Sequence, residues 1–231
     1  MGVSSPLIVA IDGPSGVGKS TAARRLAQRL GVPFLDTGAM YRAIGLKVLE
    51  SGADPLDRAK AVAIAGDADV RLGRRDDGSF EVLLDGEPVE PRIRTPEVGE
   101  ATSTISTYPE VRRRMVRLQR EAAGQFGAVL EGRDIGTRVF PETPYKFFLD
   151  ARSDVRFQRR FEELAAAGRP VTFDQVVDEI SRRDLRDSTR TDSPLTRDET
   201  YTFIDSSDLS ADEVVERMAR EIGGRRDSEV S

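Results

Sequence analysis

Cysteine, histidine and asparagine are all absent from this 231-residue chain. Without cysteine there is no disulfide, no thiol nucleophile and no thiolate metal site. Without histidine, zinc sites of the usual kind and Ser-His-Asp hydrolysis are excluded. Without asparagine, the Asn-Lys-x-Asp guanine reader expected of GTPases is missing. Long apolar runs are scarce as well. Those at 7–11 and 147–149 fall far short of the roughly twenty residues needed to cross a bilayer. The segment 1–6 lacks the charged-then-apolar pattern of a secretory signal, so the expectation is a cytoplasmic protein with no membrane partner. Its chemistry must come from Asp, Glu, Lys, Arg, Ser, Thr, Tyr and backbone groups.

The formal net charge is -5, which argues against general binding to nucleic acid or anionic lipid. Arginine supplies 31 of the 35 basic residues, and the four lysines are Lys19, Lys47, Lys60 and Lys146. An arginine excess of this kind fits codon bias in a GC-rich genome, so each arginine is judged by its context. A lysine that persists draws more notice.

Length predicts one domain, carrying a small insert. Leu7-Ile8-Val9-Ala10-Ile11 reads as a buried parallel strand, 20–30 as a helix stopped by Gly31, and 33–35 as a second strand. Strand, helix and strand in so short a span imply a βαβ unit and a parallel sheet. A helix over 39–49 follows. Later strands are expected at 128–130, 145–149 and 201–204, with helices over 153–167, 174–185 and 210–222. From 69 to 91 the pattern turns hairpin-like, with a polar turn at 74–79 and Asp85-Gly86 before a short return. Helices over 97–106 and 110–126 complete the middle. The fold class is therefore α/β, a parallel sheet flanked by helices, with a small β-rich insert.

The sharpest motif is Gly13-Pro14-Ser15-Gly16-Val17-Gly18-Lys19-Ser20-Thr21, placed between a predicted strand and a predicted helix. It fits G-x-x-x-x-G-K-[ST]. Glycines let several backbone N–H groups converge on a triphosphate, and the helix start adds its positive end. Lys19 can span the β- and γ-phosphates, and Ser20 can ligate Mg²⁺. This predicts a nucleoside-triphosphate site of the P-loop type, with Mg²⁺ as the accompanying ion.

Three further segments narrow the class. Asp36-Thr37-Gly38-Ala39-Met40-Tyr41-Arg42 ends the second strand, at the sheet edge where ligands gather. There Asp36 could meet the water shell of Mg²⁺, Thr37 could donate to a phosphate and Arg42 could clamp one, although Asp36 and Thr37 could equally cap the next helix. Glu131-Gly132-Arg133-Asp134-Ile135-Gly136-Thr137 follows a core strand. The run from Arg183 to Arg190 interleaves three arginines with Asp184 and Asp187.

Together with the phosphate loop, these motifs resemble bacterial cytidylate kinases over roughly residues 6–222. The resemblance implies ATP-dependent phosphorylation of CMP and dCMP by a P-loop nucleoside monophosphate kinase that is a monomer and uses no nucleic acid. It implies a core at 6–38, 127–152 and 200–222, a monophosphate-binding region with its β-rich insert at 39–126, a helical lid at 153–195 and a disordered tail at 223–231. Carried onto this sequence, the acceptor positions are Thr37, Arg42, Ser103, Arg112, Arg133, Asp134, Arg183, Asp187 and Arg190, with Asp36 and Tyr41 counted among the substrate-binding candidates. Lys19, Arg133 and Arg190 are the catalytic candidates. Thr37 stands where some relatives carry serine, and Ser20 where some carry glycine, which strengthens Ser20 as a metal ligand. In the lid, Arg159 and Arg160 could stack on adenine or bind the ATP phosphates.

The chemistry agrees with that assignment. Cytosine offers an amino donor at N4 and acceptors at N3 and O2, so Asp134 suits the former and Ser103 and Arg112 the latter. Two rival readings are another small-molecule P-loop kinase, such as a shikimate-type enzyme, and an ATP-gated nucleic-acid binder using 112–120 as a basic stripe. The insert and Gly132-Arg133-Asp134 oppose the first. Net acidity and 6% aromatic content oppose the second.

Overall fold

The computed structural model describes residues 6–74, 80–124 and 127–229. In chain order come β1 (Ile8–Asp12), α1 (Lys19–Leu30), β2 (Phe34–Asp36), α2 (Thr37–Glu50) and α3 (Arg58–Asp67). Next are β3 (Val70–Arg74), β4 (Phe80–Leu84), β5 (Glu87–Pro88), α4 (Pro96–Ile105) and α5 (Pro109–Gly124). The chain finishes with β6 (Ala128–Gly132), β7 (Tyr145–Asp150), α6 (Ser153–Ala166), α7 (Phe173–Thr189), β8 (Thr202–Asp205) and α8 (Ala211–Glu229). A π-helical turn, Ile135–Val139, follows β6. The chain divides into two compact units, one spanning Pro33–Ala128 and the other Ile8–Val32 with the chain from Val129 onward.

In the second unit β6, β1, β7 and β8 lie side by side in that order. β1 pairs in parallel with β7, and β7 with β8. All five residues of β1 are buried, as are the first five of β7, which is why their apolar stretches, 8–11 and 147–149, are continuous rather than alternating. Helix α1 sets Ala22, Ala23, Leu26 and Ala27 inward and packs along α8. Its outer edge is tied to α8 by Arg25–Asp212 at 2.6 Å and Arg29–Glu216 at 2.5 Å. These exposed pairs set register more than stability.

The tail expected to be disordered from 223 is instead a continuation of α8, which runs to Glu229. Arg225 explains the extension: its Nε donates to Glu221 at 3.0 Å, one turn back, and its Nη1 donates to the Pro144 carbonyl at 2.5 Å. Helix α7 likewise runs past Leu185 to Thr189, so the arginine-aspartate run lies on its last turns. A Thr172/Gln175 capping box opens it.

In the first unit β3, β4 and β5 form an antiparallel sheet, with Val70 opposite Leu84 and Leu72 opposite Val82. This is the β-rich insert; its turn at 75–79 lies outside the described residues. Helix α3 was not expected from the sequence. Asp57 starts it, its side chain accepting from Lys60 N at 3.2 Å, and Ala61 and Ala65 are its buried face. Helices α2 and α4 pack closely.

Helices α6 and α7 hold a core of their own, in which Leu164, Val176 and Ile180 are buried and Phe157, Phe161 and Val171 pack around them. A cluster this small opens independently of a central sheet. Leu164→Ala should therefore destabilise the pair by about 2–4 kcal/mol. Hydrogen exchange should show faster amide exchange over Ser153–Ala166 and Phe173–Thr189 with little change in β1 and β7.

Candidate active site

The loop between β1 and α1 is built for an anion. Gly18 occupies the N-cap of α1 with φ 90° and offers no side chain to accept the first helical N–H groups, so they remain for a ligand. A side chain at that left-handed position would be strained. Lys19 opens α1 and is buried, its Nζ donating to the Pro14 carbonyl at 2.6 Å. Burial, and then the nearby Arg133 guanidinium, lower the Lys19 ammonium to about 7. A phosphate arriving beside it would reverse that balance.

Around this loop the second unit gathers arginines, each with a carboxylate. Arg133 donates through Nε to Asp187 at 2.8 Å and through Nη2 to Ser15 Oγ at 2.9 Å. Arg190 lies 3.7 Å from Asp134 and 3.5 Å from Asp187, and donates to the Ser193 carbonyl. Burial alone would raise the Asp187 carboxyl, but Arg133, Arg183 and Arg190 outweigh it and hold it below the usual range. Thus Lys19, Arg133, Asp134, Arg183, Asp187 and Arg190, all expected from the sequence, fall in one electrostatic neighbourhood.

Arg156, Asp184 and Glu131 belong to the same region, though the sequence reading gave none of them a role. Arg156 Nη1 pairs with Asp184 and donates to the Ser15 carbonyl at 3.1 Å, while Ser15 N donates to Asp184 at 3.3 Å. The tip of the phosphate loop is thereby held by α6 and α7. Arg156 lies one turn before the Arg159-Arg160 pair, and that spacing was the available signal.

Ser20 Oγ donates to Glu131 Oε1 at 2.5 Å. Among the described residues no three potential ligands cluster as a metal cage. A magnesium ion bound with a nucleotide takes few protein oxygens, because phosphate oxygens and waters complete its octahedron. A hydroxyl beside a carboxylate at the start of α1 fits that need.

A cavity of about 530 Å³ extends from the loop, lined among others by Thr21, Arg159, Arg160, Ser206, Leu209 and Val214. Arg159 donates to Ser206 Oγ at 3.2 Å and to the Ser206 carbonyl at 2.8 Å, fixing the segment between β8 and α8. Arg160 pairs with Glu163 at 3.0 Å and approaches Glu179 at 3.7 Å.

In the first unit, Asp36 caps α2, accepting from Ala39 N at 2.8 Å, and also accepts from Arg94 Nη2 at 3.0 Å. Burial opposes its charge, but Arg42 and Arg94 prevail and lower its pKa. Thr37 is buried in the first turn of α2. Arg112, from the stretch considered as a basic stripe, is buried: its Nη1 donates to the Ser106 carbonyl at 3.2 Å and its guanidinium lies 5.7 Å from the Tyr41 ring centre. Ser103, half-buried on α4, accepts from Ser106 Oγ through its carbonyl at 3.1 Å. So Tyr41 and Arg112 are brought together, as are Asp36 and Arg42.

The family model described as cytidylate kinase matches residues 9–223. The chain belongs to the cytidylate kinase family. It is 50% identical over 214 residues to the cytidylate kinase of Corynebacterium glutamicum, covering 92% of each chain. To that of Syntrophotalea carbinolica it is 46% identical over 220 residues, covering 95% of this chain and 93% of the relative. The Caldicellulosiruptor bescii cytidylate kinase is 47% identical over 210 residues, with 91% and 92% covered. No helix among the described residues is long and apolar enough to cross a membrane.

For this family member the Lys19 environment has a measurable consequence. At pH 8, above its value of about 7, the free protein holds Lys19 mostly neutral. ATP phosphates favour the cation, so its pKa rises on binding and a proton is taken up. Calorimetric ATP titrations in buffers of different ionisation enthalpy should show net proton uptake by the wild type that Lys19→Met sharply reduces.

Proposed function

We propose that this chain transfers the γ-phosphoryl group of ATP to CMP and dCMP, yielding ADP with CDP or dCDP. The observation that carries this reading is the gathering of Arg133, Asp134, Asp187 and Arg190 beside the phosphate loop, in a chain of the cytidylate kinase family. The loop, Lys19 and Thr21 receive the donor phosphates, and the cavity beside Ser206 and Leu209 receives the nucleoside of ATP. Arg159 shapes that cavity through its bonds to Ser206, and Arg160 lines it near the phosphates.

Ser20, with Glu131 behind it, would hold a magnesium ion bound with the nucleotide, which would supply charge to offset that of the phosphates. In the second unit Arg133 and Arg190 hold the acceptor phosphate, and Arg183 with Asp187 receives the ribose hydroxyls. In the first unit Asp36 orients Arg42. Asp134 accepts from cytosine N4, and in the first unit Tyr41 buttresses Arg112.

An acceptor phosphate oxygen attacks the γ-phosphorus in line, the bond to the ADP oxygen breaks, and the charge passes to ADP. A phosphate dianion is already nucleophilic near neutral pH, so the step requires positioning and charge neutralisation rather than a general base. Closure of α6 and α7 over the donor excludes water that would otherwise hydrolyse ATP. Neither a shikimate-type kinase nor a nucleic-acid binder is favoured by the family match.

Coupled ADP-release assays with CMP, dCMP, UMP, AMP and shikimate test the reading directly. CMP and dCMP should be the preferred acceptors, and turnover of shikimate or AMP in their place would overturn it. Asp134→Ala should lower the CMP-over-UMP ratio of kcat/KM by at least about tenfold, because uracil presents an oxygen where cytosine presents its amine.

A further inference from the structure

Asp12 ends β1 and is completely buried; it hydrogen-bonds to no side chain assigned above to either nucleotide, although its charge is felt by Lys19 and Asp134. Its Oδ1 accepts from Ile135 N at 2.9 Å, and its Oδ2 accepts from Gly136 N at 2.9 Å and from the Tyr201 hydroxyl at 2.7 Å. A carboxylate this deeply buried is tolerated only with several donors. Here they converge from the π-helical turn and from the residue preceding β8.

The turn they hold begins directly after Arg133 and Asp134. Asp134 occupies its N-cap position, where an aspartate ordinarily folds back to cap its own turn. It makes no such bond. Its carbonyl instead accepts from Arg138 N at 2.9 Å and Val139 N at 3.2 Å, while its carboxylate faces Arg190. The leading N–H groups of the turn are satisfied from another strand, by Asp12.

Gly136 makes that arrangement possible. A Cβ there would lie 2.6 Å from the Tyr201 hydroxyl oxygen and 3.0 Å from Lys146 Cδ, too close for any side chain. Tyr201 is steadied by the Phe148 ring, with ring centres 6.1 Å apart, and by Lys146 Nζ 6.0 Å from its own ring centre. Lys146 in turn donates to Thr200 Oγ1 at 3.0 Å.

We propose that Asp12 and Tyr201 are positioning residues for the acceptor: they cap the turn after Arg133-Asp134 in trans, so that the Asp134 carboxylate is turned to substrate instead of to its own backbone. The inference rests on the reading that Arg133 and Asp134 bind the monophosphate. In Tyr201→Phe the ring stays and one donor to Asp12 is lost. In Asp12→Asn, the amide sets a donor against N–H groups that need an acceptor.

The test is full steady-state kinetics with ATP and with CMP or UMP, circular dichroism confirming the fold. Tyr201→Phe should raise the CMP KM roughly three- to tenfold and narrow the CMP-over-UMP preference, with the ATP KM unchanged. Asp12→Asn should raise the CMP KM and narrow the preference more strongly, with a smaller change in the ATP KM because its charge also reaches Lys19. The double variant should be no worse than Asp12→Asn, since Tyr201 acts through Asp12. A merely structural role would lower the thermal midpoint while moving both KM values together or neither, and that result in both variants would overturn the proposal. Asp134→Ala assayed alongside separates the two readings. An unchanged CMP-over-UMP ratio there removes Asp134 from base reading, whereas the split between CMP and ATP KM in the Tyr201 and Asp12 variants still decides the positioning role.

Discussion

Concentrating cations where two polyanions must meet is the constraint around which the second unit is organised. Four phosphate groups must come together, and Lys19, Arg133, Arg156 and Arg190, gathered close to one loop, would repel one another if unaccompanied. Each arginine is therefore matched to a carboxylate: Arg133 to Asp187, Arg156 to Asp184 and Arg190 to Asp134 with Asp187. A guanidinium has five N–H donors in a fixed plane, so it can keep its carboxylate and still donate to a phosphate. The pairs thus serve as a frame that exists before substrate. They contribute little to net stability, because desolvating both partners offsets most of their attraction.

Lysine has the opposite property, and this explains why Lys19 persists in a chain that otherwise prefers arginine. A guanidinium cannot shed its proton, whereas an ammonium buried beside Arg133 falls to about 7. Lys19 can therefore relax toward neutrality in a loop without phosphate and regain its charge when phosphate supplies the counter-ion. Its length also lets it reach the Pro14 carbonyl, which stores the head group under the loop. The phosphate loop, with Gly18 at the N-cap of α1, adds dipoles that need no counter-charge.

Much of this was legible in the sequence because it is written in local patterns. The apolar runs of β1 and β7, the glycine and lysine spacing of the phosphate loop and the hairpin texture of the insert all depend on neighbours in sequence. Ends were less legible: α8 runs on through Gly223-Gly224 because Arg225 anchors to Glu221 and to the distant Pro144 carbonyl. Helix α3 escaped notice because its buried face is only Ala61 and Ala65, too weak a stripe to stand out. The partners of Asp12, 123 to 189 positions away, leave no periodic trace at all, and the same holds for Arg156 with Ser15.

The absence of histidine then acquires a physical meaning. A reaction whose nucleophile is already ionised gains nothing from a residue that titrates near neutrality, and gains much from donors held in place. Preorganisation is a property of the elements behind the contacting side chains. The sequence places Arg133 and Asp134 at the end of β6, on a turn too short to fix itself. A buried carboxylate on the adjacent strand β1 supplies the missing acceptor. In the proposed site, specificity for a base with an exocyclic amine rests on the direction of the Asp134 carboxylate, and the backbone N–H groups beside it find their partner in Asp12.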